Sequence, residues 1–205
     1  MPRTAIHHES RKRELVAVAE QVFIRLGYAE TTVSDLLAAT GMSKGGFYHY
    51  FGSKDDLLRE AIAVVLDEAA AVIDRAATLD ASAIEQLSAI FRGMRALRRR
   101  HAEFVPILSV IIGDEVPARA FCEDAIRHLA PSLARVVERF GVTYPRQTTE
   151  LILDAMTSLT RNPNREAYLT DAEAGAAYAG ALRELLGGAL GIGAHHPVLD
   201  DLAWS

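Results

Sequence analysis

The sequence predicts an all-α protein. Apolar residues recur at three- and four-residue spacing along the whole chain, and no stretch alternates apolar and polar residues as a half-buried strand would. Glycine or proline marks most of the breaks between these segments. Half of the 205 residues are apolar and 24% are charged, which is typical of folded domains, and the chain is long enough for two of them.

The first predicted helix spans residues 9–26 and ends at Gly27, a residue type that commonly terminates helices. Residues at helical spacing form one apolar stripe, which we expect to be buried. This stripe consists of Leu15, Val18, Ala19, Val22, Phe23 and Leu26. A short second helix should begin after Thr32, because Thr32 and Asp35 have the spacing of a capping box, and should end at Gly41.

Serines mark the starts of the next two helices. Ser43 is the expected cap of a short third helix that ends near Phe51, and Ser53 with Asp56 forms a second capping box that opens a helix toward Ala77. Further helices are predicted over residues 81–99, 102–113, 117–140, 145–161 and 171–190. Pro131 falls inside one of them and should kink or split it.

Charge is distributed unevenly along the chain. The net charge is −5, yet residues 1–54 hold seven basic and five acidic side chains, whereas the remainder holds 15 basic and 22 acidic ones. All three lysines, Lys12, Lys44 and Lys54, belong to the first part. The asymmetry indicates that the N-terminal segment has a different partner from the rest of the chain.

Several classes of protein are disfavoured by composition. A single cysteine, Cys122, permits neither an intrachain disulfide nor a cysteine-built zinc site. The longest apolar run, Phe104–Ile112, has about half the length needed to cross a bilayer, and the N-terminus lacks the apolar block of a signal peptide. The pairs His7–His8 and His195–His196 could chelate a metal only if the termini met. We therefore expect a cytoplasmic protein with no metal, no cofactor and no membrane contact.

The third helix has two chemically different sides. One side is apolar and should anchor the helix; it is formed by Phe47, Tyr50 and Phe51. The other carries hydrogen-bond donors or glycine; it is formed by Lys44, Gly45, Tyr48 and His49. Each glycine costs a helix about 1 kcal/mol relative to alanine, so we interpret the pair Gly45–Gly46 as a place of close approach to a DNA groove.

The runs Thr31–Leu36 and Gly41–Leu58 closely resemble the helix-turn-helix of TetR/AcrR transcriptional regulators, over about residues 10–60. The resemblance implies a helix-turn-helix DNA-binding domain at residues 1–52 and a larger helical ligand-binding and dimerisation domain at residues 53–205. It implies phosphate contacts for Thr32, Tyr48, His49 and Lys54. It places Ser43, Lys44, Gly45 and Gly46 nearest the bases. Family members often carry Ser, Thr or Ala at position 46, so Gly46 offers no side chain to read a base.

Function follows from the same resemblance. It implies a homodimer that binds double-stranded DNA at a palindromic operator and acts as a repressor, released by a small effector. The apolar run Phe104–Ile112 indicates that this effector is mostly apolar. No catalytic residue is expected. One alternative is a constitutive or activating DNA-binding protein that senses no ligand. A second is an enzyme that uses a cavity in the larger domain, although the sequence offers no partnered nucleophile for it.

Two groups of residues in the larger domain are candidates for these roles. The effector pocket would be lined by His101, Phe104, Leu108, Ser109, Ile111, Ile112 and His128. An ordinary core helix accounts equally for that apolar run. By resemblance to the last two helices of the family, the dimer interface would comprise Leu151, Ile152, Ala155, Met156, Leu159, Ala177, Tyr178, Ala181, Leu182 and Leu185. Without the resemblance, these stripes equally suit a core.

Overall fold

The computed structural model describes residues 3–103, 115–158 and 162–202, and every regular element within these ranges is a helix. In chain order the helices are α1 (Arg3–Leu26), α2 (Val33–Thr40), α3 (Lys44–Tyr50), α4 (Lys54–Ala77), α5 (Ala83–Arg100), α6 (Glu115–Glu138), α7 (Pro145–Thr157), α8 (Arg165–Thr170), α9 (Ala172–Leu190) and a 3-10 helix (Pro197–Leu202). The predicted all-α class is confirmed. The sequence did not predict α8 or the 3-10 helix, and the helix predicted over residues 102–113 lies largely outside the described residues.

The chain divides into two compact units. The first runs to Val65 and also takes in His101, and the second holds Leu66–Arg100 and the described residues from Glu115 onward. Helix α4 therefore contributes its beginning to one unit and its end to the other. The predicted domain boundary between residues 52 and 53 precedes this helix and stays a prediction.

Helices α1 to α4 bury one apolar core in the first unit. Its members are Leu15, Val16, Ala19, Val22, Phe23, Leu36, Phe47, Phe51, Leu57, Leu58, Ala61 and Ile62. Two residues of the predicted α1 stripe, Val18 and Leu26, are exposed instead. Val18 lies at the edge of the stripe and Leu26 is the last residue of the helix, so neither is covered on all sides.

The ends of the short helices follow the predicted capping chemistry. Thr32 and Asp35 form a complete capping box at the start of α2, which ends at Gly41 in the left-handed conformation with φ 67°. The Ser53 hydroxyl accepts a hydrogen bond from the backbone N–H of Asp56 at 3.0 Å and so caps α4. These caps determine where the helices begin, and therefore which of their residues face the core and which face solvent.

The second unit has its own core, to which the end of α4, α5, α6, α7, α9 and the 3-10 helix all contribute. The fully buried Gln86 donates hydrogen bonds to the carbonyls of Ala77 and Leu79 at 3.2 and 2.9 Å, which closes the turn between α4 and α5. Of the kink or split predicted at Pro131, the split does not occur, because α6 continues through this residue, and the kink stays a prediction. Arg135 and Ser132, on the same helix, both bond to the Asp74 carboxylate of α4.

Candidate nucleic-acid interface

Helix α3 is only seven residues long, and a side-chain cap defines its start. The Ser43 hydroxyl accepts a hydrogen bond from the backbone N–H of Gly46 at 3.1 Å, as the sequence predicts. At the other end, the Phe51 N–H donates to the Phe47 carbonyl at 2.9 Å. A helix this short cannot persist alone in water, so packing against the other helices of the unit must hold it.

That packing comes from the apolar side of α3. Phe47 and Phe51 are buried, with ring centroids 5.6 Å apart, which confirms their predicted place in the core. Tyr50 is half-buried, and its ring stacks on His8 of α1 at a centroid distance of 4.6 Å. Sequence reasoning missed this histidine, since the predicted first helix began at residue 9 and α1 begins at Arg3.

The opposite side of α3 is exposed over its whole length. Lys44, Gly45, Tyr48 and His49 all lie on the surface. The Tyr48 residue is 48% exposed, and its ring meets the buried Phe47 ring edge-on at 5.4 Å. The phenol is therefore held at its base and open at its hydroxyl, an arrangement suited to contact with a large partner.

The two glycines of α3 differ in their surroundings. A Cβ built on Gly45 meets no atom within 4 Å, so the fold itself does not require glycine there. A Cβ on Gly46 would lie 3.3 Å from the Ser43 hydroxyl oxygen and 3.5 Å from Met42 Cε. A Cβ at position 46 would thus make a close contact with the capping oxygen, whereas one at position 45 would have open space around it.

The hydroxyl of Thr32 is engaged within the α2 capping box. It donates to the Asp35 carboxylate at 2.6 Å and accepts from the Asp35 backbone N–H at 3.2 Å. The Thr32 backbone N–H also donates to that carboxylate, at 2.9 Å. These bonds from the Thr32 hydroxyl and then from its N–H lower the pKa of Asp35. The phosphate contact of Thr32 stays a prediction.

The ammonium group of Lys54 points at the turn between α1 and α2. Its Nζ atom lies 2.8 Å from the Tyr28 carbonyl oxygen, 2.9 Å from that of Thr31 and 3.4 Å from that of Ala29. It also lies 4.3 Å from the centroid of the Tyr28 ring. The predicted phosphate contact of Lys54 stays a prediction. No pattern in the sequence indicated that the lysine would bond to these carbonyl groups.

Some of the N-terminal basic residues are paired within the first unit. Lys12 forms an ion pair with Glu60 at 2.6 Å, and Arg11 forms one with Glu14 at 2.9 Å. Both pairs are partly or largely exposed to solvent, which weakens them. The positive charge of the N-terminal segment is therefore partly compensated by neighbouring carboxylates, whereas Lys44 stands exposed at the first position of α3.

The candidate pocket residues are only partly within the described ranges. His101 belongs to the first unit, where its Nδ1 atom lies 3.4 Å from a carboxylate oxygen of Glu20. His128 belongs to the second unit and donates from Nδ1 to the Asp124 carbonyl at 2.8 Å. The remaining candidates, Phe104, Leu108, Ser109, Ile111 and Ile112, lie outside the described residues. The effector pocket stays a prediction.

The candidate dimer residues lie on α7 and α9 and differ in their exposure to solvent. Leu151 is 70% exposed and Leu185 is 46% exposed, and Ala177 and Ala181 are exposed as well. Ile152 and Leu182 are buried within the second unit. The half-buried members are Ala155, Met156 and Tyr178, while Leu159 lies outside the described residues. An apolar surface on both helices therefore remains uncovered in the single chain.

Metal-binding and membrane-spanning features are both absent from the described ranges. No group of three or more His, Cys, Asp or Glu side chains there could hold a metal ion. His196 Nδ1 instead accepts a hydrogen bond from the Val198 backbone N–H at 3.2 Å. None of the helices described is both long and apolar enough to cross a membrane.

Comparison with known proteins places these helices in a family. A sequence model described as "Bacterial regulatory proteins, tetR family" matches residues 15–61, which include all of α2 and α3. A TetR-family transcriptional regulator from Pectobacterium atrosepticum has a similar fold over 92% of this chain and 97% of its own, with a TM-score of 0.56 and 27% identity. The helix-turn-helix segment of the chain therefore matches the TetR family of bacterial regulatory proteins.

Other bacterial transcriptional regulators resemble the chain over different lengths. A TetR/AcrR regulator from Thermobifida fusca shares the fold, with a TM-score of 0.58 and 22% identity over 87% of this chain and 98% of its own. The uncharacterized HTH-type regulator YfiR of Bacillus subtilis is 34% identical over 45% of this chain and 46% of its own length. The HTH-type repressor KstR2 of Mycolicibacterium smegmatis is 30% identical over 51% of each. The chain thus spans about half the length of these curated relatives.

Proposed function

We propose that the chain is a DNA-binding transcriptional regulator whose helix α3 enters the major groove of double-stranded DNA. The observation that carries this proposal is the division of α3 into a buried aromatic side and an exposed donor side. The match of residues 15–61 to the TetR family and the names of relatives such as KstR2 support the same activity. A recognition helix needs this geometry, because its base must be fixed while its outer face meets base edges and phosphates.

Individual roles follow from the donors that remain available. Lys44 and Ser43 lie at the start of α3, where base edges would be nearest. The Ser43 oxygen acts only as an acceptor in the cap, so its hydroxyl hydrogen would be available to donate to a base. Tyr48 and His49 lie further along the exposed side and would donate to phosphates. Gly45 would let the helix backbone approach the groove wall, since no atom of the described residues lies within 4 Å of a Cβ placed there.

The finer parts of the proposal concern regulation. We infer a homodimer that represses transcription from a palindromic operator and is released by a small, mostly apolar effector. The exposed leucines of α7 and α9 support a dimer, because large apolar side chains on neighbouring helices suit an interface between subunits. The name "repressor" borne by KstR2 supports repression. Mapping the sites bound in the genome would identify the operator and the neighbouring genes.

The direct test is to measure, by fluorescence anisotropy at several salt concentrations, how tightly the purified chain binds labelled DNA from upstream of its own gene. We expect the affinity to fall steeply with salt, and we expect Tyr48→Ala and Lys44→Ala to weaken it. Tyr144→Ala is the matched control, since Tyr144 is a 68% exposed tyrosine outside the proposed interface. An anisotropy that does not rise with protein concentration, or an affinity that does not change with salt, would rule out the proposal.

A further inference from the structure

The turn between α1 and α2 presents several backbone carbonyls to the start of α4. The turn begins at Gly27, which adopts φ 79°, and the buried Thr31 donates from its hydroxyl to the Gly27 carbonyl at 2.7 Å. The carbonyls of Tyr28, Ala29 and Thr31 then converge on one point. Carbonyl groups left without donors in a partly buried turn would destabilise it.

The Lys54 ammonium group occupies that point. A lysine ammonium has three N–H donors, and three carbonyl oxygens lie within 2.8 to 3.4 Å of Nζ. The ring of Tyr28, at 4.3 Å, adds a cation–π contact. A DNA phosphate at this lysine would have to replace the carbonyls, so the arrangement favours an internal role over a phosphate contact.

The neighbouring residue of α4 bonds to the same turn. The Tyr28 hydroxyl donates to the Asp55 carboxylate, and burial together with this carboxylate raises the pKa of the phenol. Two consecutive residues at the start of α4, Lys54 and Asp55, thus bond to the backbone and the side chain of one tyrosine. Thr32, which caps α2, follows this turn directly in the chain.

We propose that Lys54 and Tyr28 are positioning residues that fix the α1–α2 turn, and with it the start of α2, on the first turn of α4. In this role Lys54 does not bind DNA phosphate, contrary to what the family resemblance implies. The proposal rests on the proposed DNA-binding function, because α2 and α3 form the helix-turn-helix whose placement the turn determines. On this proposal, Lys54 variants would lose DNA binding because the helix-turn-helix is displaced, and not because a positive charge is missing.

The test compares Lys54→Ala and Lys54→Arg with Lys44→Ala, an exposed lysine at the start of α3. For both Lys54 variants we expect the Tm to fall by about 3 to 10 °C. Operator affinity, measured well below the Tm, should fall about tenfold. The slope of log affinity against log salt concentration should stay unchanged. Arginine keeps the charge but cannot direct three donors at three converging carbonyls. Lys44→Ala removes an exposed cation beside the DNA, so it should keep its Tm and reduce the slope by up to about 0.9.

A slope reduced by that amount in Lys54→Ala, or an unchanged Tm in both Lys54 variants, would overturn the proposal. If Lys54→Ala does not fold, Tyr28→Phe carries the test: removal of its bond to Asp55 should lower the Tm and speed amide exchange in residues 28–32. Tyr144→Phe, at an exposed tyrosine, should change neither. If the wild-type chain binds no DNA, the proposed function fails, while the Tm and amide exchange still decide whether the turn is held as described.

Discussion

The Ser43 hydroxyl oxygen lies 3.1 Å from the backbone nitrogen of Gly46 and accepts its hydrogen bond. The same oxygen lies 3.3 Å from the position that a Cβ on Gly46 would occupy. A Cβ at position 46 would therefore lie close to the capping oxygen, although Asp35, at the equivalent capped position of α2, carries a full side chain. No such relationship exists at Gly45, whose Cβ direction is open. The two glycines thus differ, since a Cβ would have a close neighbour at position 46 and an open direction at position 45.

Gly45→Ala should stabilise the protein and weaken DNA binding at the same time. Alanine in place of a helical glycine contributes up to about 1 kcal/mol to the free energy of unfolding, and no neighbour opposes the added methyl group. The same methyl group would hold the helix away from the groove. Chemical denaturation and anisotropy with operator DNA measure the two effects.

Gly188→Ala is the control for this prediction, since Gly188 lies in α9 and its Cβ direction is also open. It should stabilise the protein by a similar amount, which measures the contribution of the added methyl group outside α3. Operator affinity equal to wild type in Gly45→Ala would show that the backbone of α3 does not approach DNA closely.

Ser43→Ala should remove both a helix cap and a DNA contact. Loss of the cap costs about 1 kcal/mol in the free energy of unfolding. Ser53→Ala removes the corresponding cap of α4, where the serine oxygen accepts from Asp56. We expect similar losses of stability in urea denaturation, with an additional loss of operator affinity only in Ser43→Ala. Equal affinities for the two variants would assign Ser43 to capping alone.

The capping box of α2 should make part of the stability sensitive to acid. Bonds from Thr32 hold the pKa of Asp35 below its ordinary value, so its folded form binds a proton less readily than its unfolded form. The resulting stability is present above the ordinary aspartate pKa of about 4 and is lost as pH falls through the lowered value. Asp35→Asn should therefore reduce the difference in unfolding free energy between pH 7 and pH 3.

Helix α5 offers a matched control for this pH dependence. Its Ser82 hydroxyl and backbone N–H both donate to Glu85, at 2.7 and 2.8 Å, and lower the pKa of that carboxyl. Glu85→Gln should reduce the acid sensitivity similarly without changing operator affinity, because it lies in the second unit. If Asp35→Asn shows the same difference in unfolding free energy between pH 7 and pH 3 as the wild type, the acid sensitivity does not come from the α2 capping box.

Local spacing explains which features could be predicted from the sequence. Thr32 with Asp35, and Ser43 with Gly46, are pairs three residues apart, so their caps follow from the chain itself. The burial of Phe47 and Phe51 follows from helical periodicity in the same way. The same periodicity places the donors of α3 on the side opposite these rings, so their exposure could be predicted as well.

Interactions between residues distant in sequence explain most of what could not be predicted. The carbonyls that bind Lys54 lie 23 to 26 residues earlier in the chain, and no local pattern indicates which side chain reaches them. The stacking of His8 on Tyr50 likewise joins α1 to α3. Helix α6 continues through Pro131 because packing within the second unit outweighs the local penalty of a proline.

Charged substitutions on α7 and α9 should separate the proposed dimer. Leu151→Glu and Leu185→Glu would each place a carboxylate on the exposed apolar surface, where an interface would have to bury it without a partner. We expect each to weaken the dimer about tenfold or more and to shift sedimentation toward the monomer. Operator affinity should fall with it, because two linked recognition helices bind a palindrome far better than one.

Leu79→Glu is the control, since Leu79 is as exposed as Leu185, at 46%, but lies between α4 and α5. It should leave both sedimentation and operator affinity unchanged. Because Leu151 and Leu185 contribute little to the core of the single chain, their variants should remain folded, and circular dichroism would verify this. A wild-type chain that sediments as a monomer at micromolar concentration, or variants that remain dimeric, would mean that this apolar surface has another partner.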